Sequence, residues 1–333
     1  MATYKGINGF AVQSVATDPS PLDEGQVWYN NATYAFKLAT LTTAGTFAAG
    51  GNLNSVVSNA GSAGTQTAAL SFGGSVGPAG PVTTTELYNG TSWTTNPTGL
   101  NVSRRIFTGT GTQTAALGFG GYTDPGLSSS TEKFNGTTWT TSGAMGTARY
   151  GLAGAGIQTA TLAFGGNVTG NPTKNWSESF NGSSWTSTPT LNTGRTYLAG
   201  FGTQTAAIAA GGGSFPPISG NITESWNGSS WTTVNSMNTQ RTLLGNAGTQ
   251  TLGVVFGGVT PAPANTGATE LWNGTSWTSN PTGLSTVRGR GGSARNGSQT
   301  SSLYFGGETP PFTNSTEEWT GPGSPTTKTI TTS

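Results

Sequence analysis

Cysteine and histidine are both missing from this 333-residue chain, and the two absences exclude much of enzyme chemistry. Without Cys there is no disulfide and no thiol nucleophile. Without His there is no imidazole base, no Ser-His-Asp triad and none of the usual ligands of zinc, copper or haem. Charge is also scarce, at 8% of residues with a formal net charge of +1, which leaves no electrostatic footprint for nucleic acid or an anionic membrane. No apolar run approaches the roughly 20 residues of a spanning helix, and the opening "MATYKGINGF" shows no basic stretch before an apolar one. Neither membrane insertion nor a signal peptide is expected. Carboxylate chemistry and hard-cation binding remain open.

What is present is Gly, Ser, Thr and Trp, a mixture of tight turns, hydroxyl-rich strands and aromatic anchors that reads as all-β. It is arranged in repeats. Trp93, Trp139, Trp185, Trp231 and Trp277 follow one another every 46 residues. "GTQTAALSFGG" at Gly64 returns in variant form at Gly111, Gly156, Gly202, Gly248 and Gly297, making six units. An Arg stands nine residues before the Gln in four of them, at Arg104, Arg149, Arg195 and Arg241. Arg288 is eleven before Gln299, and the first unit has Val57 instead.

Each unit divides into four short strands: the Arg-bearing segment, the segment ending in paired glycines, "TELYNG", and "TSWTT". Asn-Gly between the last two predicts a tight type I′ hairpin. Four strands in about 46 residues, six times over, suit a propeller better than a solenoid, which would want polar end caps. A ring needs a closing strand. The sixth unit stops after "NSTEEWTGPG", whereas "TAGTFAAGG" near the start has no partner, and Phe47 lies 19 residues before Gln66, the spacing of Trp139 to Gln158. Residues 45–49 are therefore expected to close the sixth blade, with the C-terminal "TTKTITTS" as the rival.

Paired glycines, a following aromatic (Tyr88, Phe134, Phe180, Trp226, Trp272, Trp319), a Trp soon after and an Arg in the first strand resemble kelch repeats over residues 44–321. That resemblance implies a six-bladed propeller of four-stranded antiparallel blades serving as a binding platform. Kelch-like copper oxidases need His ligands and a Tyr-Cys crosslink, which this chain lacks. The near-identical units, and "EGQVWYNNATYAFKL" in the first 40 residues, also resemble bacteriophage tail-fibre and other virion structural proteins.

Glu86, Glu132, Glu178, Glu224, Glu270 and Glu317 occupy one repeat position. Catalysis needs two carboxylates in different environments, not six equivalent ones. A structural ion pair with the recurring Arg, or a backbone hydrogen bond, is the expected role. Strict periodicity likewise assigns the repeated Trp residues to wedges between blades rather than to sugar stacking. Trp28 and Trp176 stand outside that register and are taken as contact candidates. The Gly-rich "GTGTQ" has neither the helix nor the Lys-Ser/Thr of a phosphate loop, and Asp18, Asp23 and Asp124 do not make a calcium loop. No catalytic residue, cofactor or side-chain metal site is expected.

Between the second and third strands the units diverge, in "SVGPAGPVT", "YTDPGLSSS", "NVTGNPTKN", "GSFPPISGN", "VTPAPANTGA" and "ETPPFTNS". In a four-stranded blade these loops share one face with the connections between blades, and the uniform Asn-Gly hairpins hold the other. Two readings compete: tolerated surface loops, or a recognition surface on a rigid scaffold. The second names Tyr122, Asp124, Trp176, Phe215, Arg290 and Phe312 as binding candidates. The expected organisation is an N-terminal attachment arm over 1–43, a propeller over 44–321 and a tail or closing strand over 322–333. The expected function is that of a non-enzymatic phage virion protein, a homo-oligomer in the particle, with the arm docking onto other virion proteins. Its propeller would be displayed on a tail fibre or tail tip to adhere to a host-surface glycan or protein. A capsid decoration protein and a bacterial kelch-like carbohydrate- or protein-binding module are the alternatives.

Overall fold

The computed structural model describes residues 12–19, 26–41, 44–124, 126–170, 173–213, 220–323 and 325–330. Among them are seven four-stranded sheets and one short 3-10 turn, Gly77–Ala79. The chain is all-β, but the sheets outnumber the six repeats. Six lie in a compact unit spanning 46–320, and the seventh belongs to a second unit drawn from 1–45 and 321–333.

In the second unit Gln13–Val15 runs parallel to Val27–Asn30, which turns back into Ala35–Leu41. Pro325–Thr329 pairs with the far edge of Ala35–Leu41. Trp28, a contact candidate from sequence, is instead fully buried. Its indole N–H donates to Asp18 Oδ1 at 3.0 Å, and Asn30 Nδ2 donates to the same oxygen at 2.8 Å. A buried indole needs such a partner for its one donor.

Five sheets of the 46–320 unit are antiparallel meanders, and the sixth is antiparallel with its fourth strand taken from the start of the unit. The second sheet shows the plan, in strands Thr108–Gly111, Ala116–Phe119, Thr131–Phe134 and Trp139–Ser142. The first strands of the six sheets, Gly61–Thr65, Thr108–Gly111, Ala153–Ile157, Ala199–Gly202, Gly245–Gly248 and Gly292–Ser293, pack in cyclic order, the last against the first. The arrangement is propeller-like. Where the sheets converge only small residues fit: a Cβ on Gly109 would stand 2.5 Å from the Phe72 ring and 2.6 Å from the Ser62 carbonyl. Of the two closing-strand candidates, Thr46–Ala49 is the one that completes the sixth sheet, with Phe47 opposite Trp319.

The hairpin between third and fourth strands departs from the two-residue type I′ turn. Gly90 has positive φ but Asn89 does not. Asn89 N–H instead donates to the Ser92 carbonyl, and Asn89 Oδ1 accepts from the N–H groups of Thr91 and Ser92 and from the Thr91 hydroxyl. The side chain thus replaces backbone partners, as Asn does in turns, and the same pattern recurs at Asn135, Asn181, Asn227 and Asn273. The Thr or Ser two places later belongs to the motif because its hydroxyl binds that oxygen.

Each fourth-strand Trp joins two sheets. Trp139 stacks on Phe134 of its own sheet and on Phe72 of the preceding one, and its Nε1 donates to Thr85 Oγ1 of the preceding sheet at 2.9 Å. Trp93, Trp185 and Trp277 repeat that bond to Thr316, Thr131 and Thr223. Burying each ring, at about 150–250 Å² and about 25 cal/mol per Å², stabilises the junction by roughly 4–6 kcal/mol. A second tie comes from the Gln of the turn motif. Gln113 Nε2 donates to the carbonyls of Ala69 and Tyr88 in the preceding sheet. Gln158, Gln204, Gln250 and Gln299 make the corresponding bonds, and Gln66 reaches Trp319 O across the junction of sixth and first sheets.

The repeated Glu is buried and accepts from the link into its sheet. Glu178 Oε2 takes the Gly146 N–H at 2.7 Å and Oε1 takes Arg149 Nη2 at 2.7 Å. Arg149 Nη1 also donates to the carbonyls of Gly165 and Trp176. Arg195 with Glu224 and Arg241 with Glu270 pair at 3.0 and 2.9 Å, and Arg104 with Glu132 and Arg288 with Glu317 pair likewise. The first sheet has no Arg for Glu86, because Val57 stands there. A small cavity lined by Val57, Gly73, Thr84 and Glu86 occupies the corresponding place. Glu86 and Glu317 are equally buried, 3% and 4% exposed, yet they titrate in opposite directions. Burial pushes the Glu86 carboxyl above its ordinary value, against the Asn54 and Ser55 N–H groups. Burial acts on Glu317 too, but the Ser285 hydroxyl and the Arg288 charge outweigh it and hold that carboxyl low.

Two expectations follow. Trp231 Nε1 and Ser177 Oγ, at the position where the other sheets pair Trp with Thr, are both buried without a partner. Ser177→Thr should supply the bond and raise stability by about 1 kcal/mol, read as a higher unfolding midpoint in denaturant; a midpoint unchanged or lowered would refute the explanation. The second concerns pH. A raised carboxyl stabilises fully below the unfolded Glu value of about 4.3 and loses that contribution as pH rises through its folded value; a depressed one stabilises above about 4.3 and loses it as pH falls. Calorimetric Tm for Glu86→Gln minus wild type should therefore rise from about pH 4 upward. The same difference for Glu317→Gln should fall between about pH 3 and pH 5. Parallel curves for the two variants would contradict the assigned environments.

Candidate functional site

One residue before each first strand adopts the left-handed conformation: Asn59, Ile106, Gly151, Tyr197, Leu243 and Arg290, with φ from 54° to 64°. Their main chains form a closed cycle. Ile106 N–H donates to Asn59 O, Gly151 to Ile106, Tyr197 to Gly151, Leu243 to Tyr197, Arg290 to Leu243 and Asn59 to Arg290, at 2.7–3.0 Å. A β-branched residue at φ 55°, as at Ile106, is strained by crowding of its side chain against the backbone. The cycle holds it there.

The residue preceding each of these bridges to one just past the paired glycines, as in Arg105 with Tyr122, Tyr150 with Asn167 and Thr196 with Gly213. The glycines permit that approach. Gly121 has φ 100°, and a Cβ on it would stand 2.5 Å from Phe107 Cβ. The ends of first and second strands thus rise together around the centre and enclose a cavity of about 930 Å³. Loop residues Leu127, Val168, Thr169, Gly170 and Pro263 complete its wall.

Three tyrosines dominate the lining. Tyr150 meets Tyr122 and Tyr197 edge to face, at ring separations of 6.4 and 6.2 Å. Asn167 Nδ2 donates to the Tyr150 hydroxyl at 3.2 Å, and the Arg105 guanidinium lies 5.5 Å from the Tyr122 ring centre. Burial, with Tyr150 alongside, pushes the Tyr197 phenol up to about 12, against the pull of Arg290. The phenol therefore stays neutral. Thr196 and Thr242 add hydroxyls, and Arg290, half-exposed, pairs with Glu308 at 2.8 Å. Apolar ring faces with a few convergent polar groups are the make-up of a small-ligand site. Among the described residues no three potential metal-ligating side chains converge.

The six binding candidates from sequence separate. Tyr122 and Arg290 line the cavity. Asp124 is exposed in the loop beyond Tyr122, with Oδ2 3.1 Å from where a Cβ on Gly80 would stand. Trp176 is 37% exposed, with Lys174 Nζ 5.1 Å from its ring, and Phe312 is half-buried near Gly77. None of these three lines the cavity, because each sits farther along its loop. Phe215 lies outside the described residues. Sequence reading passed over Tyr150, Tyr197 and Asn167. The signal was available for the tyrosines, which follow the repeated Arg149 and Arg195 by one and two residues in a segment read only as strand.

No protein-family model matches the chain, and no curated protein shows significant sequence similarity to it.

Proposed function

We propose that residues 46–320 form a six-bladed, kelch-like propeller and that the chain is a non-enzymatic recognition protein whose ligand sits in the central cavity. The observation that carries this reading is the contrast between the two ends of the unit. The Asn-turn hairpins at one end are alike from sheet to sheet. The cavity at the other end is lined by residues that vary between repeats: at the left-handed position alone, Asn59, Ile106, Tyr197, Leu243 and Arg290. Selection of individual side chains on an otherwise uniform frame is what recognition requires. Tyrosine faces suit the apolar face of a sugar ring or a protein side chain, and hydroxyl and amide groups suit its polar edge. The buried carboxylates engaged by Arg and backbone N–H groups support a binding rather than a hydrolytic role.

The resemblance to phage virion proteins sets the biological context. The chain is a virion structural protein of a tail fibre or tail tip, with its N-terminal segment attaching to the particle and the cavity face turned to the host surface.

Two measurements test this. Tyr150→Ala should weaken binding to host cells at least tenfold, about 1.4 kcal/mol, while Asp124→Ala, outside the cavity, leaves it unchanged. Equal binding by both variants would remove the cavity from the recognition surface. Antibody against residues 46–320, imaged on virus particles by electron microscopy, should label the tail extremity; label over the capsid would indicate decoration, and none would favour a bacterial binding module.

A further inference from the structure

The main chain around the central cavity is already engaged. Arg105 and Tyr122 exchange N–H to carbonyl bonds in both directions, as do Tyr150 with Asn167, Thr196 with Gly213 and Thr242 with Val259, at 2.8–3.1 Å. The cycle takes up the next residue in each case. A peptide laid here meets strand ends whose hydrogen bonds are made within the protein, whereas strand addition draws its affinity from a free edge. Charge is accounted for in the same way. Among the described residues Arg290 is the one charged member of the lining, and Glu308 pairs with it at 2.8 Å. An acidic ligand would have to displace that partner.

The side chains divide the lining in two. Tyr122, Tyr150 and Tyr197 come from the second, third and fourth sheets and form an aromatic arc, each meeting the next edge to face. Because the six sheets follow in cyclic order, the fifth lies across the centre from the second. It contributes Leu243, Val259 and Pro263. Aromatic faces stack on the C–H face of a sugar ring, but an aliphatic wall is a poor surface for sugar hydroxyls, which lose water there without a hydrogen bond in return. Such a wall suits a methyl group. Asn59 and Thr169 lie in the same lining and both donate and accept, as ring hydroxyls do. At about 930 Å³ the space is at the upper end for small-ligand sites and has room for more than one sugar ring.

We infer that the ligand of this cavity is an uncharged oligosaccharide whose sugar carries a methyl group, in an acetamido or a 6-deoxy position. The ring stacks on the tyrosine arc, and the methyl group rests against Leu243, Val259 and Pro263. This rests on the reading of the cavity as the recognition site and narrows its ligand to one chemistry.

The test titrates the full chain with the trisaccharides of N-acetylglucosamine, rhamnose, glucose and galacturonic acid. The first or the second should bind at least tenfold more tightly than the last two, independently of salt, and which of them binds separates the acetamido from the 6-deoxy source. Leu243→Asn, a residue type that tolerates the φ of 57° there, should erase the preference over the glucose trisaccharide, while Tyr150→Ala weakens binding of every sugar that binds. Tightest binding of the glucose or galacturonic acid trisaccharide, equal binding of all four, or a preference that survives Leu243→Asn would overturn the inference. Binding of none, with host-cell adhesion still lost in Tyr150→Ala, would overturn the sugar class and leave the cavity as the recognition site. Undiminished adhesion of Tyr150→Ala would remove the cavity itself.

Discussion

The structure depends on the head-to-tail cycle of six main-chain hydrogen bonds at the centre of the 46–320 unit. Each bond needs a residue turned into the left-handed region, which is what redirects the chain from the link into the first strand. Because each N–H donates to the preceding repeat and each carbonyl accepts from the next, no member is satisfied without its neighbours. Buried main-chain groups without partners are costly, so the cycle is made whole or not at all. The Gln and Trp ties reproduce the same neighbour-to-neighbour logic farther out, through carbonyls and threonine hydroxyls of the preceding sheet. Cohesion between sheets is thus assembled from main-chain, amide and indole hydrogen bonds, each reaching to the preceding repeat.

That arrangement frees the rest of the sequence. Where the interface is shared, composition is held by geometry, and a change at one place is matched at another. The second strand ends in Phe before its glycines in most units, but the fourth has Ala210. Its first strand carries Phe201 where other units have Ala or Thr, and that ring packs against Trp277 at 6.4 Å. The volume moves one strand inward and the Trp keeps an aromatic neighbour. The cavity residues are less constrained, since they line a space of about 930 Å³. The left-handed position therefore accepts side chains of quite different chemistry once the main-chain bonds are made.

The same distinction explains what the sequence disclosed. Periodic Trp, Glu and Gly were legible because each performs one local task that only its own chemistry allows. The closing strand was legible because Phe47 keeps the Trp-to-Gln spacing. Gln113 and its equivalents were read as turn residues, since their bonds go to carbonyls about 25–45 residues away, which no local pattern encodes. The left-handed cycle was invisible, because Asn59, Ile106, Tyr197, Leu243 and Arg290 share no property except backbone angle. Asn-Gly was read by the commonest rule for that pair, and the rule failed because the Asn side chain, not its backbone, makes the turn. Trp28 lay outside the repeat, and periodicity carried no information about its burial.

Departures from the repeat gather on either side of one junction. The sixth sheet takes its outer strand from the chain's other end, so Phe47 stands where a hairpin-borne Trp would be. Arg288 reaches Glu317 through Nη1 rather than Nη2 and turns its Nε to Gly306 O. Seven residues after Arg288, two extra residues, Arg295 and Asn296, interrupt the first strand, and Asn296 N–H crosses to Gly64 O. Across the junction, the first sheet lacks its Arg and leaves Glu86 without a guanidinium. In the other five sheets a hairpin ties the third strand to the fourth and fixes the offset of the outer strand. The sixth and first sheets are linked as the others are, Thr46–Ala49 running on through residues 50–60 into Gly61–Thr65, and the covalent gap lies inside the sixth sheet, where Thr46–Ala49 joins Thr316–Thr320 by strand pairing and the Phe47–Trp319 contact. With no hairpin tying the outer strand to the third, the offset inside the sixth sheet is set by pairing alone, and it is in the two sheets flanking that gap that the two-residue insertion and the lost ion pair are found.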